Sequence, residues 1–220
     1  MNGQCLLTVT EEKDLGVVIS SDTKSSQQCI QAYSKASRIL AMINRTIVYK
    51  SSENLVRLYK SLVRPHLEYC MAAWSPHYVK DKVLIEKVQR RFTRMIPGLK
   101  HLQYEDRLSE LKLWTLEDRR VRADLIEVFK IVIGLSSIKF ETFFELDNKG
   151  ITRGHQWKLR KKRCNTDLRH HFFSERVINM WNNLDKHVVS ATSINCFKNR
   201  LQKMRDKDES TFCQRLTNRL

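Results

Sequence analysis

Apolar positions along this chain change their period once, near residue 25, and the change separates a short β-type start from a long helical remainder. Residues 4–9 (QCLLTV) and 15–20 (LGVVIS) are short β-favouring runs on either side of the polar stretch TEEKD, which predicts a two-stranded hairpin. A hairpin alone is marginal in water, so it must pack on the rest of the chain or on a partner. From Ser25 or Ser26 to about Ile47, the positions of Ile30, Tyr33, Leu40 and Ile43 mark an amphipathic helix, with Lys35, Arg38 and Arg45 off its apolar stripe.

Residues 52–98 read as two helices joined by a turn. In the first, Ser51 or Ser52 supplies the N-cap and Glu53 sits in the first turn, where the helix dipole favours a carboxylate. Its apolar set is Leu55, Leu58, Tyr59, Leu62, Leu67, Tyr69, Cys70 and Trp74. Pro65 removes an amide donor and predicts a kink between Val63 and His66, or two abutting helices. Ser75 and Pro76 close the element. The second helix is predicted to open at Asp81 as N-cap and to close at Pro97 and Gly98. Leu84, Val88, Phe92 and Met95 fall on one side, and Lys87, Arg90, Arg91 and Arg94 on the other. The cationic side reads either as a solvated surface or as a contact for a polyanion.

Downstream, Tyr104 to Leu111 predicts a short helix, and Thr115 with Asp118 caps a longer one running to Gly134 over Leu116, Leu125, Val128, Phe129 and Val132. Arg119, Arg120 and Arg122 lie among Glu117, Asp118 and Asp124, which assigns them a structural role. Residues 135–165 lose periodicity. They hold an acidic patch from Glu141 to Asp147, then Arg153-Gly154-His155, then the run Lys158, Leu159, Arg160, Lys161, Lys162, Arg163. That run has three open readings: phosphate contact, a nuclear import signal, or a solvated loop. Helical order resumes with the stripe Phe172, Phe173, Val177, Trp181 and Leu184. A last helix follows, capped by Ser193 and carrying Ile194, Phe197, Leu201 and Met204. These aromatic residues read as core, and the residues after Asp206 as a frayed tail.

The 220 residues carry a net charge of +16. The excess is +2 over residues 1–50, +4 over 51–150 and +10 over 151–220, so the final third holds most of it. A localised cationic excess suits a polyanion, because each neutralised phosphate releases condensed counterions. An anionic membrane fits less well, since the basic region lacks a long interfacial amphipathic helix and no apolar run approaches bilayer length. Cys5, Cys29, Cys70, Cys164, Cys196 and Cys213 are scattered, and the start lacks a signal-peptide pattern, which predicts free thiols in a reducing compartment. His155, Cys164, His170 and His171 have zinc-ligand chemistry, but no second cysteine lies at ligand spacing, so no metal and no cofactor are expected.

Six segments together resemble one family. KDLGVVIS at 13–20, LYKSLVRPHLEYCMAAWSP at 58–76, IEKVQRRFTRMIPG at 85–98, YEDRLSELKLWTLEDRRVRADLIEVFKI at 104–131, TRGH at 152–155 and FFSERVINMWN at 172–182 resemble, in order, the C-terminal part of jockey-like non-LTR (LINE-type) retrotransposon reverse transcriptases. The resemblance covers residues 3–205. It implies a palm remnant over residues 1–22, a thumb-like helical domain over 23–134, an irregular basic linker over 135–165, a C-terminal helical pair over 166–206 and a tail over 207–220. The family's thumb grips the template-primer duplex through its backbone, which agrees with the cationic side read from Lys87, Arg90, Arg91 and Arg94. Polymerase chemistry needs paired carboxylates holding two metal ions, and this sequence contains no adjacent Asp-Asp. Gly-rich phosphate loops, H-E-x-x-H and G-x-S-x-G are absent as well. One local departure is Asp185 after Leu184, where the family often shows Leu-Pro.

Pattern and resemblance together predict a mainly α chain: a short N-terminal β-hairpin, a thumb-like helical bundle and a basic C-terminal helical region. The expected function is that of a non-catalytic fragment of an RNA-directed DNA polymerase, gripping RNA or an RNA–DNA hybrid through phosphates and favouring the nucleus over the cytoplasm. The expected contacts are Lys87, Arg90, Arg91 and Arg94, then Arg153, Lys158, Arg160, Lys161, Lys162 and Arg163. Two alternatives are a helical interaction module whose N-terminal hairpin receives a protein partner, and a translated relic of an element with no selected function.

Overall fold

The N-terminal hairpin forms around a tighter turn than its polar stretch suggests. In the computed structural model, which describes residues 8–147, 154–206 and 212–217, strand β1 (Glu11–Asp14) pairs antiparallel with β2 (Val17–Ser20). The expected turn TEEKD is therefore mostly strand, and the reversal occurs at Leu15 (φ 45°) and Gly16 (φ 86°). Two successive positive φ angles make a two-residue loop whose twist matches that of the strands, and glycine accepts that backbone without a Cβ penalty. The predicted first strand falls largely on residues 4–7, outside the described residues; Val9 is exposed. Every residue of β1 is exposed, whereas Val17, Val18 and Ser20 of β2 are buried.

The chain divides into two compact units, Met1–Leu116 and Glu117–Leu220, and is mainly helical in both. In the first unit α1 (Ser26–Thr46) packs on β2 and on a later helix, α5. Its buried stripe is Cys29, Ala32, Ala36, Leu40 and Ile43; Ile30, expected inside, is half exposed and Tyr33 is only partly covered. Two alanines on that stripe permit close approach, so small residues outcompete the larger ones for the core-facing side.

A continuous helical rod follows: α2 (Ser52–Leu58), a π-helical turn (Tyr59–Val63) and α3 (Arg64–Glu68). Ser51 is the N-cap, its hydroxyl accepting from the Asn54 amide at 3.3 Å. Pro65 does not break the rod. The wide turn ahead of it, closed by the Arg64 amide donating to the Tyr59 carbonyl, absorbs the missing donor. The π-turn also explains which residues are buried. Leu55, Tyr59, Val63, Leu67 and Met71 recur every four residues, and in a regular α-helix such a row drifts by about 40° per step. One wider turn reverses part of that drift and keeps the row facing inward, leaving Leu62 exposed. The rod ends at Glu68, earlier than Trp74, because Cys70 adopts a left-handed conformation (φ 51°); α4 (Met71–Trp74) is a separate short turn.

Helix α5 (Val79–Met95) starts before Asp81, whose expected capping role is replaced by another. Asp81 lies in the first turn, is buried, and accepts the Ser26 hydroxyl at 2.6 Å, joining the beginnings of α1 and α5. The inward residues of α5 are Ile85, Val88, Gln89, Phe92 and Thr93, and Tyr59 stacks on Phe92 with centroids 4.1 Å apart. Leu84 and Met95 are only partly covered. The unit ends with α6 (Tyr104–Glu110).

The second unit is built on α7 (Leu116–Val132), whose end is marked by Gly134 (φ 71°) and the Leu135 amide donating to the Lys130 carbonyl at 2.8 Å. Short pieces follow: α8 (Phe140–Phe143), α9 (Asp167–His171), α10 (Phe173–Arg176), α11 (Ile178–Asn182) and α12 (Lys186–Val189). Helix α13 (Ile194–Asp206) is capped by the Ser193 hydroxyl, as its sequence predicts. Phe129 of α7 stacks on Phe197 of α13 at 4.3 Å, with Trp181 of α11 beside it. The stripe Phe173, Val177, Trp181 and Leu184 is buried as expected, with Phe172 exposed, but it runs over two short helices. The tail is not frayed throughout: α14 (Phe212–Thr217) buries Phe212 and Leu216, and the Cys213 amide donates to Asp118 at 2.9 Å. Residues 207–211 and 218–220 lie outside the described residues. No described helix is long and apolar enough to cross a membrane.

Candidate nucleic-acid interface

Lys87, Arg90, Arg91 and Arg94 stand on one side of α5 at the i, i+3, i+4, i+7 spacing that aligns side chains along a helix, and all four are exposed. None makes an ion pair among the described residues; the only close partner of Arg90 is the Tyr104 ring, 4.0 Å from the guanidinium carbon. The stripe is thus positive charge left unanswered on a rigid support.

That rigidity comes from the opposite side of α5. Gln89, a polar residue that the apolar pattern of the helix does not include, is fully buried. Its Oε1 accepts from the Tyr59 hydroxyl at 2.7 Å, and its Nε2 donates to the Tyr104 hydroxyl at 3.0 Å and the Trp114 carbonyl at 2.9 Å. The Tyr104 hydroxyl donates to Glu86, which also accepts the Leu116 amide at 3.1 Å. Burial, with the Glu86 charge adding to it, pushes the Tyr104 phenol well above its ordinary range, so it remains a donor. One glutamine thereby ties α5 to the π-turn, to α6 and to the segment entering α7.

In the second unit the basic run is also held in place, by different means. Leu159 is buried and bridges Leu146, with the Arg160 amide donating to the Glu145 carbonyl and the Asp147 amide to the Lys158 carbonyl. Asn182 grips Leu159 twice: the Leu159 amide donates to its Oδ1 and its Nδ2 donates to the Leu159 carbonyl, each at 2.8 Å. Trp181 donates from Nε1 to the Trp157 carbonyl at 2.7 Å. Because Leu159 turns inward, Arg160, Lys161, Lys162 and Arg163 are displayed outward, and Lys158 is partly covered. Glu145 pairs with Arg160 at 3.4 Å and with Lys162 at 2.5 Å, and the Lys162 ammonium holds its carboxyl below the usual range. Arg153, also expected here, lies outside the described residues.

His155 belongs to this loop's support. It is buried against Trp181, and its Nε2 meets the Trp181 carbonyl at 3.0 Å. A carbonyl only accepts, so Nε2 carries the proton and Nδ1 is left as a buried acceptor with no partner. Desolvation pushes its pKa down. Among the described residues, no three of His155, Cys164, His170 and His171 converge at ligand distance.

Arg120 is buried, in keeping with a structural place for the arginines of α7. Asp124 is taken by a residue far along the chain: Arg176 forms a two-pronged pair with it, both contacts at 2.9 Å. Burial pushes the Asp124 carboxyl up while Arg176 opposes the shift. The Val18 amide of β2 is already bonded to Gln28 Oε1 at 2.9 Å, and β1 presents Glu11, Glu12, Lys13 and Asp14, charges that discourage strand addition. No family model, curated protein or solved structure matches the chain.

Proposed function

We propose that this chain is a non-catalytic, nucleic-acid-binding helical fragment of the thumb and C-terminal kind found in LINE-type reverse transcriptases, gripping RNA or an RNA–DNA duplex through its phosphates. The observation that carries the reading is the α5 stripe: four exposed cations at helical spacing, none neutralised by a carboxylate among the described residues, on a helix whose other side is fixed by Gln89. A row of fixed charges suits the regular spacing of a sugar-phosphate backbone and carries no sequence code. The outward run Arg160–Arg163 in the second unit adds a further cationic surface.

The test is fluorescence anisotropy with a labelled RNA–DNA hybrid, single-stranded RNA and duplex DNA at several salt concentrations. Tight, salt-steep binding is expected, with unrelated sequences of one duplex type bound alike and the hybrid preferred. Replacing Arg90, Arg91 and Arg94 together with Ala should flatten the salt slope by about 2–3, since each duplex phosphate contact contributes about 0.9. An unchanged slope would remove α5 from the interface.

A further inference from the structure

Arg107 was not among the cations expected to meet a ligand, and its surroundings set it apart. It projects from α6 and is only 2% exposed. Among the described residues, its Nε and Nη1 are buried without a hydrogen-bond partner and it makes no ion pair. A buried guanidinium with orphaned N–H groups is costly, because desolvation strips its hydration and nothing replaces it. Its charged neighbours make this worse. Arg94 and Arg90 are close enough to disfavour its protonation, Glu105 opposes them only in part, and Arg90 and Arg107 both approach the Tyr104 ring, at 4.0 and 5.6 Å. Two guanidinium groups, those of Arg90 and Arg107, thus share one aromatic ring, with Arg94 near enough to act on Arg107 and, among the described residues, no carboxylate ion-paired with any of the three. Nη2, the nitrogen not enclosed, is where the group reaches the surface.

We infer that Arg107, with Arg90 and Arg94, forms a phosphate-binding subsite, in which Arg107 is the fixed anchor and the two α5 arginines close on the anion from the exposed side. One phosphate oxygen accepts from Nη2 of Arg107, and the remaining oxygens of the same anion accept from Arg90 and Arg94. The subsite deepens the proposed function and rests on it: it makes one backbone phosphate, at the junction of α5 and α6, the point where the grip is geometrically defined.

The experiment uses the full chain and its Arg107→Met variant, which keeps the aliphatic stem and removes the charge. Thermal unfolding is followed in inorganic phosphate and in chloride of matched ionic strength, and RNA–DNA duplex binding is followed by anisotropy. Wild type is expected to gain thermal stability in phosphate. Arg107→Met should unfold at a higher temperature than wild type in chloride, lose the phosphate increment, and bind duplex about 10- to 100-fold more weakly. Arg107→Lys, which keeps the charge without the fork, should restore only part of the affinity. If Arg107→Met lowers the unfolding temperature in chloride, Arg107 is a structural residue and the inference is overturned. If wild type binds duplex and Arg107→Met binds it equally well, the subsite fails while the α5 stripe stands. If wild type binds no duplex at all, the proposed function fails, and a phosphate increment that depends on Arg107 would still show the anion site.

Discussion

The α5 stripe and the 158–163 loop are both basic, but their charges are in different states. On α5, Lys87, Arg90, Arg91 and Arg94 have no carboxylate partner among the described residues, and the backbone beneath them is an uninterrupted helix. In the loop, Arg160 and Lys162 share Glu145, and the backbone keeps its shape through Leu159 and the side chain of Asn182. Charge count alone favours the C-terminal third, which holds +10 of the +16. Availability favours α5. A polyanion gains most from cations that need not first leave another partner and whose positions are fixed before contact.

The comparison can be broken most directly at α5 itself. Substituting Arg90, Arg91 and Arg94 by Ala should weaken duplex binding by about 100-fold or more at low salt, whereas Lys161, Lys162 and Arg163 to Ala should cost no more than about 10-fold. Equal losses would mean that net charge matters and local pairing does not. The rigid support comes next. Gln89→Leu removes its hydrogen bonds to the Tyr59 and Tyr104 hydroxyls and the Trp114 carbonyl and should lower stability by about 3 kcal/mol, read from chemical denaturation. Asn182→Ala frees the Leu159 backbone and should cost about 2 kcal/mol, with faster amide exchange confined to residues near 155–160.

Acid should act on the second unit through His155. Its folded pKa lies below the ordinary 6.5, so the unfolded chain takes up the proton first as pH falls. The stability it contributes is complete above about pH 6.5 and is lost progressively as pH drops through that value toward the folded pKa. Melts between pH 7.5 and 5.5 should show this decline, and His155→Leu should flatten it. The smallest expected effect is at Glu145. Glu145→Gln releases Arg160 and Lys162 and should raise duplex affinity by about two- to threefold, with a steeper salt slope. No gain would mean that the loop stays away from the nucleic acid.

The helices were legible because their signals are local. Ser51 and Ser193 cap as their sequence positions suggest, Pro97 and Gly98 follow the end of α5, and the four cations of its stripe emerge exposed. Each of these depends on residues three or four apart, which sequence spacing displays directly. The hairpin turn was misplaced because Asp14, Leu15 and Gly16 compete with a more polar stretch, and the decisive quantity was the backbone sign at Leu15 and Gly16. The π-turn was hidden for a similar reason: Pro65 announces a disturbance, but the four-residue rhythm from Leu55 to Met71 decides how it is absorbed.

What the sequence determined by itself was the helical class, the caps, the breakers and the side of α5 that carries charge. What only the tertiary structure decided was which polar groups are answered. Gln89 became the centre of a buried network, Glu145 took two of the loop's cations, Asp124 met Arg176 far along the chain, and Arg107 was enclosed with two nitrogens that have no hydrogen-bond partner among the described residues. Pairings of that kind join residues 15 to 52 positions apart or depend on burial that no spacing reveals. Helical periodicity is written within a few residues, whereas the electrostatic state of a side chain depends on everything the fold brings beside it.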